Sequence, residues 1–306
     1  MKNEANEFIK YHYDSMAIRD IDPQNDCLKY VCDRFELNIE QRYWLAFLFA
    51  CSYSPTTVYY IYNEFPDYEN VDVGRLSRWW SQNKDKTIFQ TDRLRIKTQN
   101  KLVETFESYR SLLSGKSQHM FFRKLCISNA QKNYDSVWDE TLKIKNFGRF
   151  TNFIYLELLH EICGLNITPS KLDVKNADSC KDGLCMAYGI DHLIGEKINN
   201  KEALYLENLF DKTVKHLQKN NPYKDMKITA WGVETTLCAF KKHKRESRWV
   251  GYYIDRQLKE IMKMQENVKD GVDWSVLYQF REETYDKRAL MEKTGSFSDL
   301  KEAYVF

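Results

Sequence analysis

Apolar positions recur along most of this chain at spacings of three and four residues, the period of an amphipathic helix. The pattern is sharpest from Lys201 to Lys219. There Leu204, Leu206, Leu209, Phe210, Val214 and Leu217 take one side and charges the other, until Asn221-Pro222 stops the run. Tyr43 to Cys51 departs from the pattern by being almost continuously apolar. It is far shorter than the roughly eighteen apolar residues of a membrane helix, so it predicts a buried one. Pro55 breaks that helix, Thr56 or Thr57 caps a second over Val58–Glu64, and Pro66 ends it. Further helices are predicted over Leu28–Arg34, after a loop holding Pro23, and over Asp72–Trp80, Arg93–Leu112 and Thr229–Lys244, with another from Ile254.

Between Leu142 and Asp178 the chain reads as helix, glycine turn, second helix. Phe150, Phe153, Ile154 and Leu158 give the second helix its apolar face, and Gly148, lacking a Cβ, is free to take φ > 0 at the turn. The following DSCKDGLCMAYGID reads as a loop around Gly183 and Gly189. The tail beyond Thr294 reads as partly ordered, with Tyr304 and Phe306 able to dock.

Only 5 Pro and 11 Gly interrupt 306 residues, which favours long helices and an all-α class. The flanks of Lys116 suggest a division into an N-terminal helical lobe (1–115) and a hairpin-bearing lobe with basic C-terminal helices (116–306). The N-terminus carries charges where a signal peptide would be apolar, so an intracellular protein with reduced cysteines is expected, without membrane contact.

A net charge of only +2 means that any nucleic-acid binding must come from local patches. Two stand out. Lys143, Lys145 and Arg149 surround Gly148, where backbone N–H groups and a helix N-terminus could meet a phosphate. In KKHKRESR, Lys241, Lys242, Lys244, Arg245 and Arg248 face only Glu246. A third run, Thr91–Lys101, is predicted to be a solvated helix face. The SGKS at Ser114–Ser117 imitates a P-loop, but Arg110 stands where a glycine is required and no strand precedes it, which excludes a P-loop kinase or ATPase. His160, Cys163, Cys180 and Cys185 have spacings that could hold zinc or an iron–sulfur cluster; free thiols are the plainer reading, and no metal site is assigned. Glu234, near the basic run, could take a proton from an amine or serve as a salt-bridge partner, and Asp255 poses the same choice.

Five segments taken in order, Gln41–Asp67, Phe89–Val103, Ile144–Leu159, Trp231–Arg245 and Val250–Gln257, resemble the bacteriophage amino acid:DNA transferases. These are also called α-glutamyl/putrescinyl thymine pyrophosphorylases and are regarded as relatives of the DNA glycosylases. The resemblance implies a helix-hairpin-helix, glycosylase-like fold in two lobes. It implies an enzyme acting on double-stranded DNA in the cytoplasm of an infected bacterial host, without a cofactor. An amino acid or other amine would displace phosphate or pyrophosphate from a phosphorylated 5-hydroxymethyluracil. The hairpin residues Lys143, Lys145, Gly148 and Arg149 would then hold a DNA phosphate. Asp173 or Asp178, with Glu234 and Asp255 as rivals, would accept the amine's proton. Lys241, Lys242, Lys244, Arg245 and Arg256 would face phosphate, and Tyr43, Trp44 and Tyr155 would wall the base. Bifunctional glycosylases carry a lysine just after the hairpin glycine; Arg149, Phe150 and Thr151 stand here, so a lyase using that lysine is not expected. The alternatives are a glycosylase acting on a modified base and a noncatalytic DNA-binding protein.

Overall fold

The computed structural model describes residues 2–169 and 172–285, and the tail with Tyr304 and Phe306 lies outside them. The protein is all-helical, as expected; among the described residues there is no strand. In chain order the helices are α1 (Lys2–Ala17), α2 (Pro23–Arg34), α3 (Ile39–Ser52), α4 (Pro55–Glu64), α5 (Val73–Asn83), α6 (Leu94–Lys97), α7 (Lys101–Leu113) and α8 (Gln118–Leu125). There follow α9 (Ala130–Thr141), α10 (Arg149–Glu161), α11 (Asp178–Tyr188), α12 (Asn200–Lys219), α13 (Ala230–Lys244), α14 (Tyr252–Asn267) and α15 (Ser275–Thr284).

Two compact units result, and they do not divide near Lys116. One comprises Met1–Pro23, Lys171–Gln257 and Arg281–Phe306; the other comprises Gln24–Ser170 and Leu258–Phe280. The expected contiguous halves fail because α1, though first in sequence, packs on α11 and α13. Periodicity identifies a helix's buried face but not the distant helix that covers it.

In the second unit, α3 is the central helix. Every residue from Tyr43 to Ser52 is buried, and α4, α8 and α10 pack around it. Ser54, not Thr56 or Thr57, caps α4: its hydroxyl accepts from the Thr57 N–H, and Pro55 takes the first helical position, where a missing N–H costs nothing. The helix expected over Arg93–Leu112 is broken into α6 and α7 at Gln99, whose φ is 53°.

In the first unit, α11 lies where a loop was expected. Cys180, Leu184, Cys185 and Ala187 give it a buried face, and Gly189 in the left-handed region ends it. Gly183 is no turn residue here. A Cβ on it would lie 2.1 Å from the Leu237 carbonyl oxygen of α13, so glycine lets the two backbones meet. Asp20, in the loop after α1, accepts the N–H groups of Gly251, Tyr253 and Ile254 at 2.7–3.0 Å and so caps the start of α14.

His12 of α1 is 1% exposed, and its Nδ1 lies 2.8 Å from Thr236 Oγ1. The Thr236 hydroxyl also lies 2.9 Å from the Gly232 carbonyl. Burial lowers the His12 pKa to about 4.

Two outcomes are expected. Gly183→Ala should lower stability by roughly 3 kcal/mol or more in urea unfolding, because Leu237 backbone cannot step aside; an unchanged midpoint would contradict the close approach. His12 titrates near 6.5 in the unfolded chain, so between pH 6.5 and 4 only the unfolded state takes up the proton. The wild type should therefore lose about 2 kcal/mol between pH 7 and pH 5 through this residue. His12→Gln should show a correspondingly smaller difference in urea unfolding at the two pH values.

Candidate functional site

The turn between α9 and α10, residues 142–148, is organised by neighbours more than by its glycine. Gly148 is extended (φ −117°, ψ 178°) and is the N-cap of α10, so the expected positive φ falls elsewhere, on Asn146 at 67°. Asn146 tolerates it, being one of the few residue types that do. Its carbonyl accepts from Arg95 Nη2 at 3.0 Å, and its side-chain amide donates to Thr105 Oγ1 at 2.9 Å. The Lys145 N–H donates to Ser108 Oγ at 2.9 Å. Lys143 lies 2.6 Å from Glu140 and Lys145 2.8 Å from Glu104; both pairs are exposed, so each lysine can exchange its carboxylate for a phosphate at little cost. The Arg149 guanidinium lies over the Phe153 ring at 5.6 Å.

The run Thr91–Lys101 behind this turn was expected to be a solvated face, and most of it is exposed. Arg93 is instead 0% exposed. Its guanidinium lies over the rings of both Tyr53 (5.0 Å) and Phe150 (4.3 Å). Nε donates to the Ala50 carbonyl at 3.2 Å, Nη1 to Thr91 Oγ1 at 3.0 Å and Nη2 to the Phe150 carbonyl at 3.4 Å. One cation thus joins the end of α3 to the start of α10. Thr91 has φ 56°, a conformation that a β-branched residue adopts only at a cost. Beside it, buried Glu260 accepts from Gln90 Nε2 and from Ser54 Oγ. At the first turn of α10, Thr151 Oγ1 and Asn152 Oδ1 are buried without a hydrogen bond among the described residues. Backbone strain, a buried ion and unsatisfied polar atoms thus coincide where α3 meets the start of α10. The sequence signal was the TDR triplet, whose short polar residues interrupt a helical pattern; its charge alone misleads.

The three expected base-stacking rings are core residues. Tyr43, Trp44 and Tyr155 are all buried. Tyr43 stacks on Phe122 at 5.1 Å and Trp44 on Phe47 at 5.6 Å, while Tyr155 meets Phe47, Tyr109, Phe122 and Phe147 edge-on. Trp44 Nε1 donates to the Phe65 carbonyl and Tyr155 Oη to Tyr109 Oη. All three are enclosed in the core, so as placed they wall no base.

The four expected carboxylates all fall in the first unit, as do the basic residues from Lys241 to Arg256. Asp173 is half-buried in the left-handed region and accepts from Asn176 Nδ2 at 3.0 and 3.2 Å. Asp178 is exposed at the first position of α11. Asp255 accepts from Trp249 Nε1 at 3.2 Å. Glu234 is 4% exposed on α13. Seven residues on, Lys241 shares its face of the helix and holds buried Asp182 at 2.8 Å, with Lys181 at 3.3 Å from the same carboxylate. Burial pushes the Asp182 carboxyl up, but the Gly195 N–H and the two ammonium groups outweigh it and hold it below the ordinary range. Lys241 is therefore part of the interior of its unit. Lys244 pairs with Glu7 at 2.9 Å. Arg256 is half-buried, Lys242 is half-buried and Arg245 is exposed, and among the described residues the latter two make no ion pair.

His160 Nδ1 lies 3.0 Å from the Leu165 carbonyl, and Cys180 and Cys185 are buried on α11. Among the described residues no three His, Cys, Asp or Glu side chains gather as a metal site.

Arg93→Lys keeps the charge but loses the planar fork that reaches both helices. It should lower stability by roughly 2–4 kcal/mol in urea unfolding. A change within about half a kcal/mol, the ordinary scatter of surface substitutions, would contradict the organising role.

Residues 17–247 match the profile of a family described as amino acid:DNA transferase. A serinyltransferase from Salmonella phage ViI is 28% identical over 185 residues, which are 59% of this chain and 41% of that protein. This chain thus spans less than half the length of that relative. The matched residues take in both the Arg93 region and the α11–α13 pair, and the chain belongs to the amino acid:DNA transferase family.

Proposed function

We propose that the protein transfers an amino acid or other amine onto the 5-methylene carbon of a phosphorylated or pyrophosphorylated 5-hydroxymethyluracil in double-stranded DNA. The family match over residues 17–247 carries this reading, and the relative named a serinyltransferase supports an amino acid as donor. In the reaction the amine nitrogen forms a bond to the methylene carbon. The carbon–oxygen bond breaks, phosphate or pyrophosphate leaves with the electron pair, and the amine's proton passes to a carboxylate. The base must leave the stack for this. We place the α9–α10 turn as the hairpin of a glycosylase-like fold, holding a DNA phosphate through Lys143, Lys145, Gly148 and Arg149. The reaction needs no cofactor, and its setting is the cytoplasm of an infected bacterial host. No helix among the described residues is long and apolar enough to cross a membrane.

Of the four carboxylates, Glu234 is the foremost candidate for the base. A carboxylate withdrawn from water can first attract an ammonium group and then accept its proton. Asp173, Asp178 and Asp255 stand behind it. Lys242 and Arg245, which hold no carboxylate among the described residues, are the members of the basic run best suited to the departing anion. Arg256 is a further candidate.

The test is mass spectrometry of nucleosides after the protein acts on pyrophosphorylated 5-hydroxymethyluracil DNA with mixed amino acids. A nucleoside heavier by one amino acid residue, on an intact strand, is expected. Glu234→Gln should reduce that product by roughly a hundredfold or more with thermal stability nearly unchanged. Abasic sites would make the protein a glycosylase, and unchanged nucleosides would make it a binding protein.

A further inference from the structure

From Ser108 to Tyr134 the chain runs for 27 residues (134 − 108 + 1) without an acid, while carrying Arg110, Lys116, Arg123, Lys124 and Lys132. In a chain of net charge +2 this is a concentrated basic segment. It contains α8, and the outward positions of that helix are Met120, Arg123 and Lys124. Met120 is 66% exposed and Ile127, in the loop that follows, is 88% exposed. Neither Arg123, Lys124 nor Lys132 makes an ion pair among the described residues, in contrast to Lys143 and Lys145.

The loop is held firmly. Buried Asn133 accepts the Ser128 N–H at 2.8 Å and donates to the carbonyls of Ser128 (3.0 Å) and Asn166 (2.9 Å). Asn129 caps α9, and the Cys126 N–H closes the end of α8 on the Arg123 carbonyl. At the other end, Glu40 accepts the N–H groups of Gln118 and His119 at 2.9 Å, fixing α8 to α3. A large apolar side chain is thus presented to water on a rigid tip, with cations one turn before it and in the first turn of α9. Folding gains nothing from leaving Ile127 in water, and its place among unpaired cations fits a polyanionic partner.

We propose that Ile127 is a wedge that enters the base stack of duplex DNA, with Arg123, Lys124 and Lys132 on the flanking phosphates. Apolar wedges that unstack a base step lower the cost of extruding a nucleotide, and phosphate-bound cations keep the wedge in register. The proposal rests on the reading above only in taking duplex DNA as the occupant.

The experiment uses the full chain and an unmodified duplex with 2-aminopurine beside a thymine, whose fluorescence rises when it unstacks. Wild-type binding should raise the signal severalfold. Ile127→Ala should abolish most of the rise while leaving thermal stability unchanged, since the side chain is exposed. Arg123→Ala with Lys124→Ala should weaken binding and reduce the slope of log affinity against log salt by about 2. An undiminished rise with Ile127→Ala, or an unchanged salt slope in the double variant, overturns the wedge. So does a duplex signal that stays flat with wild type, or an Ile127→Ala effect confined to self-association. Nucleoside mass spectrometry is independent of this signal, so loss of the wedge and loss of the transferase reading are separate results.

Discussion

The hairpin unit depends on one buried cation. A guanidinium taken out of water is tolerable only if its donors are satisfied, and Arg93 finds acceptors in two helices and in its own loop. It fixes the end of α3 relative to the start of α10 and leaves Thr91 in a conformation that a free chain would avoid. Arg95, two residues on, grips the α9–α10 turn at Asn146. The turn's shape is therefore set from behind, by a segment some fifty residues earlier in the chain (146 − 95 = 51). This couples two of the segments through which the sequence resembles its family, Phe89–Val103 and Ile144–Leu159.

The other unit rests on a different constraint, the approach of two backbones. At Gly183 there is no room for even a methyl group against α13. Once α11 and α13 are in contact, Asp182 is enclosed and needs the cations it meets, Lys241 and Lys181. Charge that looks available for DNA in the sequence is thus partly consumed in holding this pair of helices together. Lys242 and Arg245 remain outside that arrangement.

Helical class and most helix positions were legible because periodicity records burial directly. Lys201–Lys219 and Tyr43–Cys51 emerge as α12 and α3 almost as expected. Three features were not legible. Gly183 reads as a breaker because sequence spacing carries no record of a neighbouring helix that excludes a Cβ. Arg93 reads as solvated because charge is a reliable sign of exposure except where partners lie far along the chain. Tyr43, Trp44 and Tyr155 read as base walls because an aromatic that packs a core and one that stacks on a base are the same residue type. The carboxylates Asp173, Asp178, Glu234 and Asp255 were found as individual residues, but their order of merit follows only from their different burial.

The proposed DNA contacts fall at the two ends of α9: the α9–α10 turn, preorganised by Arg93 and Arg95, and the basic tip that carries Ile127. Hydrogen exchange along the whole chain, with and without a duplex, tests that assignment most directly. Slowed exchange on DNA binding should concentrate in residues 123–132 and 142–149, with little change in the buried amides of α3. Slowing that spares both segments while DNA is bound would contradict it.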